Sequence, residues 1–336
     1  TYFNGIKFIN YCYFSSNKDI QIKKVDEIFN KLQSKKDILK IRYKNYKIGK
    51  FIFQTYAREQ FKVEVNIKDK NLKKYILEAF LYVDNSINFF IKNKINHTFA
   101  SHGTYSKYNI FNMVALKNKS LVSIMFNKGF WNKIKFVKIG KSLYPNSDYE
   151  NFNINFKKLK NRNKKILSAK NELDKITSGL MKNSSIHKFN LKDEYYNFSK
   201  DKNPNKILVL PPCMFDSLLQ FEKSGNFLEP YEWLKFILDN AVKTNFSWYV
   251  KAHPSGHAAN TAVFDNLKKQ YPKIKFINKA TLVKKKFLKS MFTYQSTGAH
   301  EYINGNVPVV MSEDNAQSSF EFGRPVNSKN MLKKLI

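Results

Sequence analysis

Apolar and polar positions alternate with a changing period along this chain, and each change of period predicts an element. In the first part, "GIKFINYCYF" (5–14), "NHTFAS" (96–101) and "SLVSIMF" (120–126) are short apolar runs that read as strands. Longer segments with helical spacing follow them, such as "NLKKYILEAFLYVDNSINFFIKNK" at 71–94. Alternating strand and helix signals predict an α/β layered domain with a parallel sheet. From about 157 the character changes. "KKLKNRNKKILSAKNELDKITSGLMKN" reads as an exposed, charged helix, and the stretch up to 205 reads as a linker ending in turn residues.

A second series then begins. The predicted strands are "KILVLPP" (206–212), "FSWYVKAHP" (246–254), "KIKFIN" (273–278), "MFTYQS" (291–296) and "VPVVM" (307–311). Between them lie predicted helices in "PYEWLKFILDNAVKT", "AVFDNLKKQY", "LVKKKFLKS" and "TGAHEYING". This alternation predicts a doubly wound parallel sheet. The division expected is an N-terminal α/β domain over 1–200 and a C-terminal Rossmann-like domain over 201–336, facing each other across a cleft.

Composition changes the picture at one point. The formal charge of +33 invites a polyanion-binding reading, but arginine occurs only at Arg42, Arg58, Arg162 and Arg324, so 55 of the 59 basic residues are lysine. With the abundance of Asn, Ile, Phe and Tyr, that pattern matches an A/T-rich coding bias, whereas specific nucleic-acid readers favour the arginine fork. Specific nucleic-acid binding is therefore not expected. A diffuse positive field toward anionic surfaces is. Cys12 and Cys213 offer neither a disulfide framework nor metal spacing, which fits a reducing cytoplasm. No apolar run approaches the roughly 18 residues of a membrane span and no signal-peptide pattern opens the chain, so any membrane contact is expected to be peripheral.

The candidate chemistry sits where strands end. His253 leaves its strand where Pro254 forbids continuation, so its imidazole is placed to meet a ligand as donor, acid or base, with Lys251 beside it. Gln295, Ser296 and Thr297 close the next strand but one. Gly298 allows a tight entry into a helix, and Glu301 lies on its first turn. Backbone N–H groups and hydroxyls at such a turn suit an anion, and Glu301 suits ribose hydroxyls or helix capping. In the first part, His102 and Gly103 again follow an apolar run. Arg58 lies on a predicted helix among aromatics, suited to an acceptor groove. Glu59, Glu64 and Asp69 read as ordinary surface carboxylates, and His97, His187, His257 and His300 as surface or packing residues. No grouping has metal-ligand spacing.

"SHGTYSK", "VKAHPSG" and "STGAHEYINGNVPVV" together resemble bacterial surface-polysaccharide transferases of the GT-B type. The histidine-glycine and lysine-any-histidine-proline pairs are similar to those of teichoic acid glycerophosphate polymerases. The histidine-proline and serine-threonine pair is similar to the nucleotide-binding motifs of capsule sialyltransferases and Kdo transferases. The acidic residue after the glycine comes one position later than in the Kdo-type pattern, and the acidic-acidic-glycine motif of sialyltransferases is missing. The resemblance implies a metal-independent, inverting glycosyltransferase that takes a sugar from a nucleotide donor, CMP-linked above CDP or UDP. The acceptor would be a capsule, lipooligosaccharide or similar glycan or glycolipid at the cytoplasmic face of an anionic membrane. It implies catalytic roles for His102 and His253, donor contacts from Lys251, His253, Pro254, Gln295, Ser296, Thr297, Gly298 and Glu301, and acceptor contacts from Arg58 and Gly103. Two alternatives remain: a CDP-activated polyol-phosphate transferase and a non-catalytic polyanion-binding protein.

Overall fold

A computed structural model describes residues 18–101, 103–128, 133–139, 152–177, 195–216, 219, 226–253, 258–277, 281, 283–294, 299–312 and 323–336. The described residues fall into two compact units, one between 18 and 139 and the other between 152 and 336. The expected strand at 5–14 lies outside the described residues.

The first unit is mostly helical. Helices α1 (Lys18–Asn30) and α2 (Lys35–Leu39) precede a two-stranded hairpin of β1 (Arg42–Tyr43) and β2 (Tyr46–Lys47). Its turn residues, Lys44 and Asn45, both have positive φ, the backbone that matches a two-residue turn to the twist of its strands. Helix α3 (Gly49–Glu59) starts so close to α2 that a Cβ on Gly49 would lie 1.9 Å from the Ile38 carbonyl oxygen, so only glycine fits. Helix α4 (Lys70–Lys92) buries Leu72, Ile76, Ala79, Phe80 and Val83 at three- and four-residue spacing. Tyr43 stacks on Phe80 with ring centroids 4.0 Å apart. The buried Asp84 accepts a hydrogen bond from the Tyr43 hydroxyl (2.9 Å), another from the Gln21 amide, and an ion pair from Lys44 (2.6 Å). One carboxylate thus ties α1 and the hairpin to α4.

Strand β3 (His97–Ala100), helix α5 (Ser106–Lys117) and strand β4 (Leu121–Lys128) then form a parallel crossover. The described sheet differs from the expected all-parallel one, because β5 (Lys133–Ile139) pairs antiparallel with β4. "KIKFVKI" alternates polar and apolar residues except at the adjacent Phe136 and Val137, and its β-branched and aromatic content suits a strand.

The second unit holds the doubly wound sheet. Helices α6 (Phe152–Lys157) and α7 (Arg162–Thr177) lead to β6 (Lys206–Leu210), α8 (Pro230–Ala241), β7 (Ser247–Lys251), α9 (Ala258–Gln270) and β8 (Lys275–Ile277). After them come β9 (Ser290–Thr293), α10 (Ala299–Asn304), β10 (Val309–Ser312), β11 (Arg324–Val326) and α11 (Lys329–Leu335). Six parallel strands lie in the order β8-β7-β6-β9-β10-β11, the order of a Rossmann-type fold. Ile207, Leu208, Val209, Trp248, Tyr249, Val250, Met291 and Phe292 are buried, so the central strands are covered on both faces. Helix α8 carries proline at its start and buries Trp233, Leu234, Ile237, Leu238 and Ala241 along one stripe.

Two expectations change here. "LVKKKFLKS" forms only a single 3-10 turn at Lys285–Phe287 among the described residues, because its consecutive lysines interrupt any apolar stripe. The sheet also continues past the fifth strand into β11 and α11. Proline is tolerated in β11, which is the edge of the sheet among the described residues.

Candidate functional site

Open parallel sheets bind ligands beyond the carboxyl ends of their strands, at the place where successive connections leave in opposite directions. In the second unit that place lies between β6 and β9. The buried Thr293, last residue of β9, donates its hydroxyl to the carbonyl of Leu210, last residue of β6, at 3.0 Å. The two strand ends are thereby fixed side by side.

Beyond β6 the prolines Pro211 and Pro212 stop the ladder, since proline has no N–H to donate. Cys213, Met214 and Phe215 stay buried, and the chain then turns Asp216 out to solvent. The Met214 N–H reaches the side-chain oxygen of Asn260 at 3.4 Å. Asn260 is buried in the first turn of α9, so the loop after β6 is linked to the helix that follows β7.

Lys251 is the last residue of β7, and His253 lies two residues beyond it; both are half-buried. Burial pushes the His253 imidazole below its ordinary value of 6.5. The Asp216 carboxylate opposes that shift, and the Lys251 ammonium reinforces it. The combined direction keeps the ring neutral at neutral pH, able to donate from one nitrogen and accept at the other. Asp216 was not singled out in the sequence. Its signal was available, as the one charged residue of "PPCMFDS" just past a proline-stopped strand end.

The remaining expected donor residues do not all fall on described structure. Pro254, Gln295, Ser296, Thr297 and Gly298 lie outside the described residues, as does His257. Glu301 and His300 belong to α10, whose start follows β9 after that gap; their side chains are outside the description. Tyr294 follows the last residue of β9. It is buried, and its hydroxyl donates to the Phe227 carbonyl at 3.0 Å.

In the first unit, His102 lies outside the described residues and Gly103 sits in the loop between β3 and α5. Side chains buttress this loop. Thr55 of α3 accepts the Ser106 N–H at 2.9 Å, capping α5 from another helix. Asn109, fully buried, donates its amide to the Gly103 carbonyl. Its own side-chain oxygen has no hydrogen-bond partner among the described residues. Tyr105, at the start of α5, has φ of 63°, a conformation that strains a bulky residue. Arg58 is half-buried on the same helix as Thr55, one turn further on.

The carboxylates of this unit divide. Glu59 and Glu64 are exposed surface charges. Asp69 caps α4 instead, accepting the Asn71 N–H at 2.9 Å and the Tyr56 hydroxyl at 2.6 Å, and these bonds hold it below the ordinary carboxylate value. His97 packs locally, with Nε2 at 2.8 Å from the Ser123 hydroxyl and its ring stacked on Phe99.

No protein-family model matches the sequence, and no curated protein matches it. Among solved structures, the UDP-GlcNAc 2-epimerase of Methanocaldococcus jannaschii, crystallised in complex with UDP-GlcNAc and UDP, is similar over 77% of this chain and 72% of its own. The identity is 17% and the TM-score 0.34.

Proposed function

We propose that the chain is a nucleotide-sugar-dependent glycosyltransferase whose second unit binds the donor, CMP-linked in the favoured form, and whose acceptor is a bacterial surface glycan. The observation that carries this reading is the pair of groups at neighbouring strand ends of a doubly wound sheet, Asp216 beyond β6 and His253 beyond β7, with Lys251 as the last residue of β7. Lys251 supplies fixed positive charge for the leaving phosphate. The neutral His253 supplies an N–H to a phosphate oxygen, a contact that strengthens as charge develops there.

The reaction is a direct displacement without a metal. The acceptor hydroxyl oxygen forms its bond to the anomeric carbon while the bond from that carbon to the donor phosphate oxygen breaks, which inverts the configuration. The hydroxyl proton passes to a base, for which His102 is the candidate, and the nucleotide leaves with the bonding pair. Gly103 and Arg58 are the candidate acceptor contacts. The resemblance of "SHGTYSK" and "VKAHPSG" to surface-polysaccharide transferases supports this division of roles.

Thermal denaturation in the presence of CMP, CDP, UDP and GDP and their sugar conjugates tests the reading. A nucleotide that binds only the folded protein raises stability by about 2.7 kcal/mol at a hundredfold excess over its Kd. His253→Ala is expected to lose that rise while keeping the unliganded midpoint. A panel in which no nucleotide moves the midpoint overturns the assignment. Release of CMP with a bare sugar transferred, against release of CMP with a polyol phosphate transferred, separates sugar transfer from the CDP-polyol alternative.

A further inference from the structure

Helices α6 and α7 present a surface that the nucleotide site does not use. No described residue from 154 to 171 is buried, so this stretch adds nothing to the core of its unit. Its described anchorage to the sheet-bearing part includes a hydrogen bond from the Asn304 amide of α10 to the Asp174 carboxylate (2.8 Å), near the C-terminal end of α7. Isolated helices of this length are marginal in water, and a stable one normally buries an apolar stripe. This one exposes its apolar residues: Ile154 is 53% exposed, Leu159 39%, Ile166 48% and Leu167 60%. Around them stand Lys157, Lys158, Lys164 and Lys165, and from 152 to 177 eight basic residues face two acidic ones.

The geometry points to α6–α7 as a docking surface for an anionic lipid bilayer. Charge complementarity selects a negative partner. The apolar side chains among the lysines select one with a hydrocarbon boundary, into which they insert while the ammonium groups stay with the headgroups. A nucleic acid would be served by arginine forks and stacking aromatics, and the segment has a single arginine, Arg162. This inference stands apart from the nucleotide-sugar reading. It adds to it a device that would hold a transferase at the membrane where a glycolipid acceptor resides.

Vesicle flotation of the full chain tests it, with phosphatidylcholine alone and with phosphatidylcholine mixed with phosphatidylglycerol. The wild type is expected to float with the mixed vesicles, to stay behind with the neutral ones, and to be released by salt. The quadruple variant K157Q/K158Q/K164Q/K165Q should partition on the order of 10²–10³-fold more weakly, given the usual contribution of a lysine near an anionic surface. I154S/I166S/L167S should weaken partition roughly tenfold at fixed charge. All substituted side chains are exposed, so circular dichroism and the thermal midpoint are expected to stay unchanged. Flotation of the quadruple variant at the wild-type level overturns the inference. So does wild-type protein that ignores vesicles and binds heparin or RNA instead. The nucleotide thermal shift, measured on the same variants, reads the other site. Loss of flotation with an intact shift, or the reverse, shows which of the two readings fails.

Discussion

The two units carry the same local arrangement, a strand that ends, a histidine-bearing loop and a helix, yet they hold it in place by different means. Around β6, β7 and β9 the support is mainly apolar, with the Thr293–Leu210 hydrogen bond added to it. Ile207, Leu208, Trp248, Tyr249, Met291 and Phe292 bury both faces of a parallel sheet, and the strand ends inherit their positions from that packing. Around β3 and α5 the described sheet has three strands; Ile110, Val114, Val122 and Ile124 are buried there too, but the loop itself is held by polar contacts: Thr55 caps α5, Asn109 holds the Gly103 carbonyl, and Tyr105 bears a strained backbone. An apolar scaffold is insensitive to any one polar contact. A polar buttress is not, because an unmade buried hydrogen bond carries its full desolvation cost. The first unit's loop should therefore be the more easily disturbed.

The largest effect tests whether both histidines belong to one reaction. His253→Ala and His102→Ala are each expected to lower turnover by about 10²–10⁴-fold, with thermal midpoints close to wild type. Only His253→Ala should also abolish the nucleotide-induced rise. If His102→Ala leaves turnover unchanged, the first unit's loop is not part of the chemistry, and the likeness between the two strand ends is only architectural.

Next in size come two hydrogen-bonded carboxylates, one in each unit, Asp84 buried and Asp201 half-buried. Asp84→Ala removes the acceptor shared by Tyr43, Gln21 and Lys44 and should cost the first unit about 2–3 kcal/mol in denaturant unfolding. Asp201 does corresponding work beside β7 and β8, accepting from the Tyr249 hydroxyl and from Lys275 at 2.7 Å. Burial alone would raise its pKa, but the bonds from Lys275 and Tyr249 outweigh it and hold the carboxyl far below the ordinary value. A folded-state pKa below the unfolded one gives stability that is complete above about pH 4 and declines as the pH falls further. Asp201→Asn should flatten that decline in acid unfolding curves, whereas an unchanged curve would remove Asp201 from the account. The smaller Thr55→Val change removes the cap from α5 and should cost about 1 kcal/mol. If the buttress serves the acceptor loop, the acceptor KM rises in this variant while the donor KM stays put.

How much of this was legible depended on whether neighbouring residues or distant ones fixed the element. "KILVLPP" and "FSWYVKAHP" announced β6 and β7 because buried parallel strands are apolar throughout and proline ends them. "PYEWLKFILDNAVKT" announced α8 through its starting proline and its stripe. Although the adjacent Phe136 and Val137 break the two-residue period, "KIKFVKI" was legible in principle through its β-branched and aromatic residues. β11 was not, since "RPV" has no apolar run and becomes a strand only because β10 offers it a partner. The run at 284–289 reads as a helix by propensity, but its lysines leave no face to bury. His253 was found from its place after a strand. Asp216 was not, because its significance comes from the β7 loop forty residues away.

The smallest expected effect isolates that Asp216–His253 link. Burial lowers the imidazole pKa, the Asp216 carboxylate raises it, and Lys251 lowers it. Removing the carboxylate's charge therefore moves the pKa further down. A neutral imidazole is required in the proposed contact, so activity falls on the acid side as His253 protonates, below the ordinary histidine range. Asp216→Asn should shift the acid limb of the kcat/KM profile to lower pH and leave the plateau nearly unaltered. Lys251→Met removes the opposite influence and should shift the limb upward, with a lower plateau because the phosphate loses a cation. The same logic applies to stability. A histidine whose folded pKa lies below 6.5 contributes stability at neutral pH that is lost as the pH falls through that value, and Asp216→Asn should enlarge this loss. Acid limbs that coincide in Asp216→Asn and wild type would mean that the exposed carboxylate is screened from the imidazole by solvent. The strand ends after β6 and β7 would then be neighbours in the fold without being coupled in function.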